Sequence, residues 1–497
     1  VTKNFAVGAL AILCACGAAR AQLTGPSSSQ SPYVLPTIPG VQTQSILTVG
    51  DTVGGYRMVG IPDGLGAFGN GDGTFTLMMN HELGAASGVT RAHGSTGSFV
   101  SRWSIDSATR AVGSGADHAQ GNTSINLWNG SGFTAGTAQI ARLCSADLAP
   151  VSAYSYNGLG TTNRIFMSGE ENGTDGRAFA HVATGADANK SWQLPALGRF
   201  SWENAVANPY AQQKTIVIGT DDSTPGEVYA YVGNKTGTGS DVERAGLTNG
   251  NLFGIRVTGM PTEDRATGVS GRFDLYNHGD VTNRTGAQIQ AADNANSVTK
   301  FLRPEDGAWD PRPGNESDFY FVTTDRYNTT GTEGHSRLYR MRFDDITNPE
   351  AGGEVTIMID GYTAGPNMMD NICVDSHGRV LIQEDIGGQD ALGKIWLYDI
   401  DSGGLALVAE HDAARFTPGA PGFLTRDEEA SGIIDAKDIL GDGWFLLDVQ
   451  AHYGIPGELV EGGQLLAMYV NPGIVPAPAS LALFGIGGLA ASRRRRS

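Results

Sequence analysis

Six short apolar runs along the chain each stop at a polar cluster bearing a carboxylate, an amide or a histidine. They span residues 76–82, 164–171, 215–222, 319–326, 380–385 and 444–452. Their shortness and their wealth of β-branched and aromatic residues predict buried strands running into a polar mouth. Upstream of five of them a second strand-like segment opens on an acid, near Pro62, Trp202, Pro304, Met369 and Glu428. From opener to terminator, Asp63 to Glu82, Glu203 to Asp222 and Glu429 to Asp448 are each 19 apart, Glu305 to Asp325 is 20 and Asp370 to Asp385 is 15. The second repeat lacks an acid in that slot; counting 19 back from Glu171 reaches Ser152. A third strand-like run follows every terminator, at 99–105, 179–183, 227–232, 337–343, 394–400 and 464–470.

Such repeats are meander units. In antiparallel strands the start of one lies beside the end of the next, so all openers and terminators fall at one end of the fold. Six units stacked radially make an all-β, six-bladed β-propeller whose inner strands line a central channel, with the acids converging on one mouth. Run 45–49 is expected to supply the outer strand of the last blade and so close the ring. Segments 107–136 and 233–299, rich in Gly, Ser, Thr and Asn, read as long inter-blade loops. An open sandwich, or a sheet with helices, is the competing arrangement.

Composition changes this picture little. With 497 residues, 70 of them glycine, and few long periodic stretches, helix content should be low. Length alone suggests about three domains, but a propeller of this size is one core.

The two ends read as addresses. Lys3 precedes an apolar stretch to Cys16, and Ala19-Arg20-Ala21 offers a small-residue cleavage pattern, so residues 1–21 are expected to be a signal peptide and the protein exported. Leu13-Cys14-Ala15-Cys16 is also a loose lipobox. Residues 22–474 are then the propeller. At 475–497, Val475-Pro476-Ala477-Pro478, an apolar run from Leu481 to Ala491 and four arginines before the terminal Ser497 resemble a PEP-CTERM sorting tail. That resemblance implies transient membrane anchoring and removal by an exosortase-type enzyme at the envelope of a Gram-negative bacterium. Ala477 stands where that family usually has Glu, and the apolar run is shorter than the ~20 residues a spanning helix needs; a plain C-terminal anchor is the other reading.

Setting aside the six basic residues of the two ends leaves 28 basic against 52 acidic, a net charge of −24. Such a surface disfavours nucleic acid and favours cations. Cys144 and Cys373 are the cysteines left in the mature chain, and one disulfide or two buried thiols fit equally well. There is no GxSxG elbow, Walker loop, HExxH or helix-opening GxGxxG. The nine histidines are scattered; His81 and His452 stand out only because they fall in terminator clusters. What remains is oxygen chemistry: gathered carboxylates and amides repel one another unless a hard cation such as calcium neutralises them. Turn formation explains Asp221-Asp222 well, but explains Glu170-Glu171 and Glu428-Glu429 poorly.

Asp63-Gly64 and Asn80-His81-Glu82, then Ser168-Gly169-Glu170-Glu171-Asn172, Gly198-Arg199-Phe200 with Glu203, Arg303-Pro304-Glu305, Asp370-Asn371 and Val449-Gln450-Ala451-His452 follow one another in an order that resembles the PhoX-type alkaline phosphatases. The resemblance covers most of residues 51–469. It implies a six-bladed propeller, export, and an iron–calcium cluster that hydrolyses small phosphate monoesters. It also implies metal ligation by Glu170, Glu203 and Glu305, and a phosphate clamp at Arg303. With the repeat acids added, the candidate metal ligands are Glu82, Glu170, Glu171, Glu203, Glu305, Asn371 and Glu429. Arg303 is the candidate catalytic and substrate-binding residue, with Arg199 or Arg326 helping to bind substrate. One departure bears on iron: Gly169 stands where the family has a cysteine before Glu-Glu, and an oxygen-only shell favours calcium or magnesium over iron. A metal-dependent phosphatase is therefore expected, and a non-catalytic calcium-binding cell-surface propeller with an adhesion or binding role is the alternative.

Overall fold

The computed structural model describes residues 21–328 and 333–477. The two address segments lie almost wholly outside these residues. Six blades radiate from a central channel as a β-propeller. Their innermost strands are Pro62–Gly69, Leu143–Asp147, Trp202–Ala207, Pro304–Trp309, Met369–Val374 and Glu428–Asp435, here blades one to six. Each pairs antiparallel with its second strand: Thr74–His81, Ile165–Glu170, Lys214–Asp221, Asp318–Thr323, Arg379–Glu384 and Trp444–Ile455.

The second strands read as apolar runs because both of their faces are buried between neighbouring blades. In Asp318–Thr323, Phe319 and Phe321 pack toward blade three while Tyr320 and Val322 pack toward blade five. The same division recurs at all six blade-to-blade contacts, so the core is a ring of apolar wedges around the channel. Each fully buried Val, Leu, Ile or Phe there contributes roughly 1.5–3 kcal/mol.

The ring closes as the sequence predicts, with Val41–Thr48 pairing against Val460–Val470 to finish blade six. The two presumed loops are corrected. Segment 107–136 holds strands Val112–Asp117, Ile125–Trp128 and Phe133–Gly136. Segment 233–299 holds strands Asn251–Val257 and Gly271–Gly279 and helix Gly286–Asn296. Most of these are outer strands; apart from the largely buried Asn251–Val257, they are half-exposed and lack the two-faced apolar run that betrays an inner one. Gly271–Gly279 also pairs with Gly353–Asp360 and joins blades three and four into one continuous sheet. Cys144 and Cys373 are free, buried thiols.

Candidate metal centre

The innermost strand of every blade begins at the same mouth of the channel, and its second residue is Asp63, Cys144, Glu203, Glu305, Asp370 or Glu429. In blades one to five the pairing slips by a β-bulge just beyond that residue, a device that re-aims side chains at a sheet end. Above this tier lies a second. The residue past the pairing partner of each strand's first residue is Glu82, Glu171, Asp222, Thr324, Asp385 or His452. Its N–H donates to the carbonyl of the residue just before the inner strand in all six blades: Ile61, Arg142, Ser201, Arg303, Met368 and Asp427, at 2.8–3.0 Å. Six copies of one hydrogen bond thus stack an upper tier on a lower one.

The tiers combine into four overlapping groups: Asp63, Glu82 and Cys144; Cys144, Glu171 and Glu203; Glu203, Glu305 and Asp370; Asp370, Asp385 and Glu429. Within each, one ligand atom per residue lies within 4.8 Å of the others. Cys144, Glu203 and Asp370 are each shared by two groups, so they can bridge ions.

Ionising these acids together is unfavourable. Two like charges at that spacing repel by roughly 3 kcal/mol at an effective dielectric of about 20. Burial, then the charge of Glu82, pushes Asp63 up to about 7 and Glu171 up to about 9. Burial, reinforced by neighbouring carboxylates, holds Glu203, Asp370 and Glu429 well above the usual range. Burial raises Glu305 as well, against the pull of Arg303, and lifts the Cys144 thiol with help from Asp63. Buried acids with raised affinity for protons, gathered around shared vertices, fit divalent or trivalent cations.

A polar layer below fixes the tier. Ser145 Oγ donates to Glu203 Oε1 at 2.5 Å and accepts from Asn371 Nδ2 at 2.5 Å. Ser431 Oγ lies 2.8 Å from both Asp63 Oδ1 and Asn371 Oδ1. Gln450 Nε2 donates to Asp63 and Glu82 at 2.9 and 3.0 Å, tying blade six to blade one. Thr324 Oγ1 donates to Glu305 Oε1 at 2.6 Å.

Glu82, Glu171, Glu203, Glu305 and Glu429 from the candidate set meet at this mouth. Arg303 joins them, its Nε 2.7 Å from Asp222 and 3.0 Å from Glu305. Four candidates do not join. Glu170 points away, and both its oxygens are taken by Arg177 and the Ala141 N–H. Asn371 spends its amide in the layer beneath. Arg199 makes a backbone bridge to Arg177 and no side-chain hydrogen bond or ion pair among the described residues. Nor does Arg326 reach the tiers; it sits 3.7 Å from Asp325.

The spacing arithmetic misassigns three partners. In blade six Asp448 lies deeper in its strand and His452 occupies the upper tier. In blade four Thr324 does, while Asp325 turns away to Arg265. In blade two the opener is not Ser152, which lies in a short 3-10 helix, but Cys144. Counting from strand starts instead of acids would have found it.

Gly169 is explained by the same repeat. A Cβ there would lie 2.2 Å from Trp202 Cβ and 2.7 Å from its Cγ, so this position faces the next blade rather than the mouth. The thiol of the centre comes from the strand paired alongside. Cys373 instead lines a cavity of about 290 Å³ at the far end of the channel, together with Asp147, Asp306 and Trp309.

Residues 185–431 match the family described as Alkaline phosphatase PhoX. Over that stretch the chain is PhoX-like. The fold agrees: Pseudomonas fluorescens PhoX, solved in complex with vanadate, a transition state analogue, is 14% identical with a TM-score of 0.62, covering 91% of this chain and 98% of that one. The GH93 α-L-arabinofuranosidase of Fusarium graminearum with arabinobiose is 8% identical at a TM-score of 0.40, over 82% and 92% of the two chains. The BP39L lectin from Burkholderia pseudomallei is 10% identical at 0.34, over 84% and 99%. No curated protein matches the sequence. The match over residues 185–431 is to an alkaline phosphatase family, and the structural match adds the propeller fold.

Proposed function

We propose that the two-tiered ring is the active centre of an exported phosphoric monoester hydrolase that works with iron and calcium. The carrying observation is Cys144, a thiol set among carboxylates where both adjoining groups share it. Thiolate suits iron, whereas the oxygen-only groups around Asp370 suit calcium. Cys144 with Asp63, Glu82, Glu171 and Glu203 would hold the softer ion; Glu305, Asp370, Asp385 and Glu429 would hold the harder ones. With a thiol at hand, Gly169 no longer favours the non-catalytic calcium-binding reading.

Bound cations would polarise the phosphoryl oxygens and lower the pKa of an attacking water. The chain's own part is positioning. Arg303 presents a guanidinium fork at the mouth, suited to the equatorial oxygens of a phosphoryl group. The charges of Glu305 and Asp222 hold it firmly protonated, against the opposing effect of burial. Ser145, Thr324 and Gln450 fix the carboxylates so that little reorganisation accompanies the reaction. The proposed signal peptide and sorting tail lie in segments 1–21 and 475–497, and export is in keeping with the secreted PhoX family.

The test is turnover of a chromogenic phosphate monoester by the purified mature chain with iron and calcium supplied, against the chelated protein. Metal-dependent release of phosphate is expected, and Arg303→Ala should lower kcat/KM by about 10²-fold or more. No turnover under any metal condition would refute the assignment.

A further inference from the structure

Resting on the phosphatase reading, we propose that Arg142 is a second phosphate-binding guanidinium, facing the mouth from blade two as Arg303 does from blade four. Both arginines occupy the residue immediately before an inner strand. Both sit in the left-handed region, Arg142 at φ 47° and Arg303 at φ 65°. That conformation costs a non-glycine residue about 1 kcal/mol or more. Its recurrence at Ile61 (φ 49°) and Met368 (φ 46°) marks it as the device that turns the chain into the channel. Only in blades two and four does the device carry a cation.

The surroundings match as well. Arg142 bridges two upper-tier carboxylates, 2.8 Å from Glu82 Oε1 and also paired with Glu171. Arg303 likewise bridges Asp222 and Glu305. The Arg142 side chain is 48% exposed. Glu82 and Glu171 each belong to a candidate metal group. A cation bound there competes with Arg142 for their oxygens, leaving N–H donors of the guanidinium free at a solvent-facing mouth. Free donors beside polarising cations are what a tetrahedral oxyanion recognises. Arg142 therefore exchanges partners. It pairs with Glu82 and Glu171 in the metal-free protein and holds phosphate oxygens in the loaded one.

Inorganic phosphate is the probe. Its affinity is measured by calorimetry on iron- and calcium-loaded wild type, Arg142→Asn and Arg142→Lys, alongside melting temperatures of the loaded and chelated proteins. Asparagine tolerates the left-handed backbone, so that variant keeps the turn. The expected result is phosphate binding weakened about tenfold or more in Arg142→Asn and less in Arg142→Lys, which keeps charge but loses the fork. The KM for a phosphate monoester should rise in parallel. Melting should fall on the Asn substitution only in the chelated protein, where the counter-charge is lost. Unchanged phosphate affinity in Arg142→Asn, or a lowered melting temperature in the loaded protein with phosphate affinity intact, overturns the role. A loaded wild type that binds no phosphate overturns this role and the phosphatase reading together.

Discussion

Chelating the metals should reverse how this protein responds to pH. Asp63 titrates at about 7 in the folded chain against an ordinary 3.8, and Glu171 at about 9 against 4.5. The folded state thus binds these protons more tightly than the unfolded state does. That stability is complete below the unfolded values near 4 and is lost as pH climbs through 7 for Asp63 and through 9 for Glu171. At 1.36 kcal/mol per pKa unit, Asp63 alone loses on the order of 4 kcal/mol across its window, and Glu171 a comparable amount. Losses of this size approach the whole stability of an ordinary domain. Bound calcium or iron replaces the protons and binds better as the ligands ionise, so the loaded protein should gain stability where the metal-free one loses it. Urea unfolding midpoints at about pH 5, 7 and 9, in chelator and in excess calcium, read both slopes. A chelated midpoint that is flat or rises from about pH 5 to 9, or slopes identical with and without calcium, would refute the claim that crowded acids destabilise the empty ring.

Three further outcomes follow from the geometry. Cys144→Ser should abolish iron retention, read by metal analysis, while leaving calcium-dependent melting in place, because only the thiol-containing groups change. Gly169→Ala should destabilise the fold by about 3 kcal/mol or more; its new methyl meets Trp202 Cβ, which cannot move without the strand carrying Glu203, so wild-type melting would contradict that contact. Glu170→Gln should cost about 1.5–3 kcal/mol by removing the counter-charge of Arg177, with metal content unchanged; loss of a metal equivalent would instead return Glu170 to the centre.

How far the sequence reaches is clear from particular residues. Second strands buried on both faces write themselves as apolar runs, so all six were legible, whereas the ring of blades and the closing strand near Ser45 were inferred from their repetition, with an open sandwich competing. Outer strands such as Val112–Asp117 are half solvated and look like loops. Acids at strand starts were legible because carboxylates at the head of an apolar strand are costly unless used, which singled out Glu203, Glu305 and Glu429. Cys144 was not, because the opener slots were found by counting back from acids and it is no acid.

The apolar runs and the spacing of the acids pointed by themselves to six meander units with acids at one end, because a strand buried on both faces reads locally as a continuous apolar run. Which acids touch was decided only by the tertiary structure. β-Bulges, left-handed residues before the inner strands and blade-to-blade hydrogen bonds rotate side chains by amounts that spacing along the chain does not encode. That is why Glu171 enters the ring and its neighbour Glu170 does not: adjacent residues of a strand face opposite ways, and only packing fixes which way is inward.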